Sequence, residues 1–559
     1  MNTRNARNAR NARNARIVLA IAALGVVGLA PGCGGRASYW NDPIATGTTS
    51  ATSYGLARGV ALVDDAAHRV VVLTAQGDLQ LAEQSLAVGH QIVDVVVSPD
   101  ASRLFVLSAG DWPRRTSNDE LPSLTVIEIA DDFRAEAQAY PMSEPLGSLA
   151  IDPQGQWAVA YAGASAGSNA APSFVENPNE IVIFDLSKPP SKVTRTLQSF
   201  GGTPQRLVFT PKLAMPAGKD PRRLLLIETD IDLTMLDLDR AFEAAPPPEI
   251  TVPLTSGSTA KQVTPAGLAV DSNPKDARFA VWASNDTNVF TLQLVAPTTD
   301  LRNDFRPSIN LTDVGGIPTD VAFVETQSAS ASLALRVAAL VPSTTSAVLI
   351  DPDTSVTTIV SLPAAYASFS LVTNVAAGQA PAIPTAPDVA LLWNAGAGAA
   401  SGVALWSLGN SVMQPYRSIQ VVGATQPIKD AIDVPPPNQE RKVLQMTSGG
   451  GFYVLDLLGR TAPPLTTTGT ATLTIAADRV WAFQPGGTDL ASIDFKTLNP
   501  IPLTTDLGIA SVFEVARADG GRALVAMHTQ GGFGATVFDA TNPVTANSRR
   551  TGALLVEAP

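Results

Sequence analysis

Val93-Asp94-Val95-Val96-Val97-Ser98-Pro99-Asp100 is followed by Arg103-Leu104-Phe105-Val106-Leu107 and then by Leu124-Thr125-Val126-Ile127-Glu128-Ile129. Each piece is a short run of β-branched and aliphatic residues bounded by Pro, Asp, Ser or Gly, and each reads as a strand. Ser98-Pro99-Asp100 is a turn with a mechanism. Pro presets φ at the first turn position, and Asp accepts nearby backbone N–H groups. The pattern returns at once. Leu149-Ala150-Ile151-Asp152-Pro153-Gln154-Gly155 leads into Trp157-Ala158-Val159-Ala160-Tyr161 and then Ile181-Val182-Ile183-Phe184-Asp185.

Fainter copies continue along the chain. Third strands close on Asp at Met235-Leu236-Asp237, Leu349-Ile350-Asp351, Val454-Leu455-Asp456, Ser492-Ile493-Asp494 and Val537-Phe538-Asp539. First strands start near Pro204, Pro265, Pro318, Ala367, Ile428, Thr470 and Ile509, at intervals of 39 to 61 residues. A weaker fourth strand leads from each unit to the next. Short strands at such a period favour an all-β repeat architecture. A lone four-stranded sheet cannot bury both faces, whereas radial stacking does so and leaves only short protected edges. The recurrent third-strand Asp reads as a cap at a strand end.

The units resemble the Tyr-Val-Thr-Asn type of β-propeller repeat of bacterial surface and envelope proteins. They are also similar to Trp-Asp repeat blades, because Gly89-His90 followed by Val97-Ser98-Pro99-Asp100 copies that opening. The resemblance implies a β-propeller of four-stranded blades over residues 57–559. Ten units are counted, the first of them short, so the expected ring holds 7–10 blades. Ala553-Leu554-Leu555-Val556 is a candidate extra strand with which the first and last segments would share a closing blade. Two smaller propellers in tandem are the alternative.

The N-terminus has a different character. Arg4, Arg7, Arg10, Arg13 and Arg16 precede an uninterrupted apolar run from Ile17 to Ala30, and Pro31-Gly32-Cys33-Gly34-Gly35 follows. A basic segment, a short apolar segment and small residues form a secretory signal. The run is shorter than the roughly 20 residues needed to span a bilayer. The only Cys of the chain stands at the cleavage point, which resembles the bacterial lipoprotein signal. Leu29 stands four residues before it, one further than that pattern places its Leu. The resemblance implies that residues 1–32 leave, that Cys33 is lipidated, and that the protein is anchored in the outer membrane or at the cell surface, since Gly34 rather than Asp follows. Residues 33–56, rich in Gly, Ser, Thr and Ala, read as a flexible tether.

Composition excludes several classes. The 559 residues include 38 basic and 50 acidic side chains, a net charge of −12, which argues against nucleic-acid binding. One Cys excludes a disulfide framework, and three His leave little for a metal site. No cofactor and no metal are expected.

A site is expected where long second-to-third-strand loops share one face. Gly110-Asp111-Trp112-Pro113-Arg114-Arg115-Thr116-Ser117-Asn118-Asp119-Glu120 is one such loop; the other runs from Ala162 to Asn179 and contains Glu176. Trp112, Arg114, Arg115 and Glu176 are the candidate partner-binding residues, since Trp and Arg anchor many interfaces. Catalytic patterns find no support. Gly163-Ala164-Ser165-Ala166-Gly167 fits Gly-x-Ser-x-Gly, but a small-residue loop follows it instead of a helix. His68, His90 and His528 lie in dissimilar contexts and read as isolated residues. Glu228, Asp230 and Asp232 read as an alternating row on one strand. The expected function is that of a non-catalytic, lipid-anchored envelope protein that binds a protein or polysaccharide through a propeller face. The alternatives are a lactonase-like or quinoprotein-like propeller enzyme, or a scaffold lipoprotein of outer-membrane protein assembly.

Overall fold

The computed structural model describes residues 51–163, 171–187, 191–198, 202–256, 261–271, 277–298, 302–327, 333–372, 389–394, 403–408, 417–419, 428–438, 440–446, 451–457, 462, 464–466, 472–529 and 534–551. Cys33, the signal segment and the candidate strand at 553–556 lie outside these residues, as does Ser165. The described chain forms ten four-stranded antiparallel sheets, each built in sequence order. Blades 1 to 10 span 52–87, 92–141, 148–196, 204–253, 265–313, 320–361, 368–419, 428–466, 472–504 and 509–551. One two-stranded hairpin, Thr255–Ser256 with Lys261–Gln262, is the only further sheet among the described residues.

The unit boundaries follow the sequence closely. Pro204, Pro265, Ile428 and Ile509 open strands as expected, and the other three expected starts fall within two residues of strands at Asp320, Ser368 and Thr472. Two expectations need correction. The strand Thr52–Leu56 is the first of blade 1, so that blade is complete and the folded body begins inside the segment read as tether. The first and last segments do not share a blade. Each terminal blade takes all four strands from its own stretch of chain.

The packing explains why the strands lack clear alternation. Val60 and Leu62 pack with Val525 and Val537 of blade 10, while Ala61 and Val63 on the opposite face pack with Leu104 and Val106 of blade 2. A strand buried on both faces needs apolar residues at every position. The same division repeats at every seam, so that ten apolar clusters lie between ten pairs of adjacent blades. Ten seams for ten blades mean a single closed ring, not two propellers. Each Val, Leu or Phe buried there contributes about 1.5–3 kcal/mol.

The closing seam joins the ends of the described chain. Ser53 and Ser511 hydroxyls lie 2.7 Å apart. Ala75 and Arg517 form a parallel bridge, and the Ala516 N–H donates to the Ala57 carbonyl at 2.8 Å. Gly55 meets the Phe513 ring so closely that a Cβ there would stand 2.5 Å from it. First strands of neighbouring blades approach one another around the axis. Outer strands such as Ser191–Thr196 alternate between half-buried and exposed residues.

Candidate functional site

The connections 88–91 and 142–147, which lead from one blade to the next, emerge on the same face as the second-to-third-strand loops 65–68 and 109–122 and the described residues 171–179 of the next such loop. The loop 109–122 is held from below by His90. Its carbonyl accepts the Gly110 N–H at 2.9 Å, and Gly110 adopts a φ of 66°, which favours glycine. Its ring lies between two carboxylates of the loop. Nδ1 is 2.7 Å from Asp111 Oδ1, and Nε2 is 3.2 Å from Glu120 Oε2. The hydrogen bond to His90 and that from the Glu120 N–H hold the Asp111 carboxyl below its ordinary range.

The tip of the loop is tied by Asp119. Its carboxylate accepts from the Thr116 hydroxyl at 2.5 Å, from the Thr116 N–H at 2.9 Å and from the Arg115 N–H. These bonds, with Arg114 nearby, bring its pKa down to about 2. The result is a fixed turn in which Trp112 is half-buried while Arg114 and Arg115 are exposed. Neither guanidinium makes an ion pair among the described residues. Glu176 is also exposed, on the neighbouring loop, whose Val175 packs into the cluster between blades 2 and 3. The fold thus brings Trp112, Arg114 and Arg115 onto one loop and sets Glu176 on the same face. No ion pair joins Glu176 to either arginine among the described residues.

Two readings of the sequence change here. His68 and His90 are not isolated: their rings touch at a tilt of 38°, with centroids 4.0 Å apart. They sit on consecutive loops of one face, so the pairing is a product of the fold and has no local signal. His528 is elsewhere, buried in blade 10 with Nε2 2.9 Å from the Thr536 hydroxyl, and burial pushes its pKa down. The residues sequence reasoning missed are therefore His68, His90, Asp111 and Glu120. Nor do Glu228, Asp230 and Asp232 share a strand. Glu228 is the last but one residue of the strand Arg222–Thr229, Asp230 lies in the turn, and Asp232 begins the next strand.

Around the axis, the carboxylates of first strands serve the ring. Asp94 Oδ2 accepts the Leu149 N–H of blade 3 at 2.9 Å, and Asp320 Oδ2 accepts the Phe369 N–H of blade 7 at 3.0 Å. Burial raises both pKa values against the pull of these hydrogen bonds. Among the described residues, no group of three His, Cys, Asp or Glu is placed to hold a metal ion.

No protein-family model matches the chain, and no curated protein matches it. The chain is similar to several solved structures. One, dihydro-heme d1 dehydrogenase NirN in complex with DHE, is 13% identical with a TM-score of 0.36, covering 82% of this chain and 75% of that one. The Dos1 propeller is 12% identical with a TM-score of 0.35, covering 68% and 88%. Apo AztD from Citrobacter koseri is 11% identical with a TM-score of 0.33, covering 74% and 97%. At such identities and TM-scores none of them carries an argument about this chain's activity.

Proposed function

We propose that the protein is a lipid-anchored component of a bacterial envelope that binds a protein or polysaccharide partner through the face carrying loop 109–122 and residues 171–179. One observation carries the reading. The 109–122 loop is fixed in advance by His90, Asp111, Glu120 and Asp119, yet its two arginines are exposed and, among the described residues, make no ion pair beside a half-buried Trp. Preorganised Trp and Arg side chains are what an interface uses as anchors, each worth about 2 kcal/mol or more when it becomes buried by a partner. The engagement of Asp94 and Asp320 with the next blade's backbone supports binding over the enzyme alternatives, since it commits these axial carboxylates to structure. The anchor would be Cys33, with two or more acyl chains giving stable attachment.

The test is crosslinking and pull-down from detergent-solubilised envelopes. The wild type should retain a partner that a Trp112→Ala/Arg114→Ala/Arg115→Ala variant of unchanged melting temperature loses. Equal capture by the variant rules out this loop. Cys33→Ala should leave the membrane fraction; retention there rules out the lipid anchor.

A further inference from the structure

A second site lies on the outer rim, sharing no residue with the loop site. A groove of about 690 Å³ opens where the last strand of blade 3, the 238–249 loop of blade 4 and residues 302–304 of blade 5 meet. Three arginines line it, one from each blade: Arg195, Arg240 and Arg302. In a chain of net charge −12 this concentration needs a reason.

The groove's walls are braced. Arg240 forms a bidentate pair with Glu243 at 3.0 Å on each arm and lies 3.6 Å from Asp304. Asn303 Nδ2 donates to the Pro248 carbonyl at 3.1 Å, tying blade 5 to blade 4. The two acids of the lining are also engaged. Glu249 Oε1 accepts the Gln198 N–H at 2.9 Å, and Asp304 faces Lys219, Arg222 and Arg240. Pro246, Pro247 and Pro248 add a stiff wall without N–H donors.

Arg195 is the exception. It is half-buried and, among the described residues, makes no ion pair and reaches only the Pro247 carbonyl, from Nη2 at the long distance of 3.5 Å. Its Nε is buried with no acceptor. A guanidinium carries five donors in a planar fork, and a desolvated donor left without an acceptor is costly. Nε is closed off from the groove, so a ligand carboxylate would meet the Nη1 and Nη2 end of the fork, bidentately. Thr194, Thr196 and Gln198 beside it offer hydroxyl and amide groups to a polar ligand body. Because Asp304 and Glu249 share the lining, a singly charged planar anion suits the groove better than a dianionic phosphate.

We propose that this groove binds a sugar acid, a polyhydroxylated ring bearing one carboxylate, with Arg195 as the residue that recognises the carboxylate. The acid could arrive free or as a uronic-acid residue of a polysaccharide. The site stands independently of the loop face, and its failure would leave that reading untouched.

The experiment is calorimetric titration of the purified full chain with D-galacturonate, tri-galacturonate, galactose and inorganic phosphate. Saturable binding of galacturonate, with none of galactose, is expected. Arg195→Gln should weaken it by about tenfold or more, the worth of a charged hydrogen-bonded pair. Arg195→Lys, which keeps the charge but loses the fork, should fall between. Both variants should melt as the wild type does; if Arg195→Gln unfolds, Arg195→Lys decides. Tighter binding of the trimer than of the monomer assigns the site to a polymer, and equal binding assigns it to the free acid. Absence of galacturonate binding, equal binding by the variants, or preference for phosphate would overturn the proposal.

Discussion

Two sets of aspartates divide the molecule. At the seams, carboxylates reach from one blade to the next. Asp94 and Asp320 hold the following blade's first strand, and Asp152, fully buried, pairs with Arg223 of blade 4 at 3.2 Å. At third-strand ends, carboxylates serve their own turn. Asp185 accepts the Ser187 N–H at 3.0 Å, Asp351 the N–H groups of Asp353 and Thr354 at 3.0 Å, and Asp494 that of Lys496 at 2.8 Å. The second set recurs in blades 3, 4, 6, 8, 9 and 10, wherever the third strand closes on the same kind of turn. The first set varies because every seam is solved separately: the closing seam uses Ser53 and Ser511 where others use Asp.

The contrast ranks the effects of mutation. Asp152→Ala should be the most damaging, because it leaves Arg223 buried with only Gln156 as a side-chain partner; a loss of about 3–5 kcal/mol in chemical denaturation is expected. Asp237 sharpens the comparison, since it occupies a turn-capping position but is 6% exposed. Burial pushes its pKa up to about 6, outweighing Arg222 at 3.7 Å. A raised pKa means stability that is complete below the ordinary carboxylate pKa and is lost as pH rises through about 6. Asp237→Asn should therefore stabilise the protein at pH 7 by up to roughly 3 kcal/mol and change little at pH 4, read from melting curves at both values.

Smaller effects follow from the first-strand latches. Asp94→Ala or Asp320→Ala should each cost about 1–2 kcal/mol, for a backbone N–H of the next blade loses its acceptor. Hydrogen exchange should speed up at Leu149 or Phe369 respectively, across the seam from the mutation. Smallest of all is Asp494→Ala, at about 0.5–1 kcal/mol, with faster exchange confined to Lys496 and Thr497 of its own turn. If Asp494→Ala destabilised the fold more than Asp152→Ala, the division between seam and turn would be wrong.

The same division explains what the sequence revealed. Turn-capping is local, so Ser98-Pro99-Asp100 and the Asp closing the third strand of blades 3, 4, 6, 8, 9 and 10 announce it in a few residues. The Ser98 hydroxyl does bond Asp100 at 2.6 Å, and Asp100 accepts the Ser102 N–H at 3.0 Å. Fold class and blade spacing followed from that repetition. The start at Thr52 was hidden because Thr-Ser-Tyr-Gly-Leu follows directly on the small-residue composition of the tether; its strand exists because it pairs with Gly59–Asp64, meets Ser511 and Phe513 of blade 10 at Ser53 and Gly55, and packs Tyr54 and Leu56 against blade 2. At the candidate site, Trp112, Arg114 and Arg115 were legible from loop length and residue type. The His68–His90 contact and its two carboxylates were not, since they depend on loops meeting across a seam.

Everything above depends on the ring being closed between blades 1 and 10. The direct measurement is a Ser53→Cys/Ser511→Cys pair in a Cys33→Ala background, which contains no other thiol. The two hydroxyls are 2.7 Å apart and 458 residues apart in sequence. Mild oxidation should join them in nearly all molecules, shifting mobility on a non-reducing gel and reversing with reductant. A folded protein that stays uncrosslinked would contradict the closed ten-bladed ring.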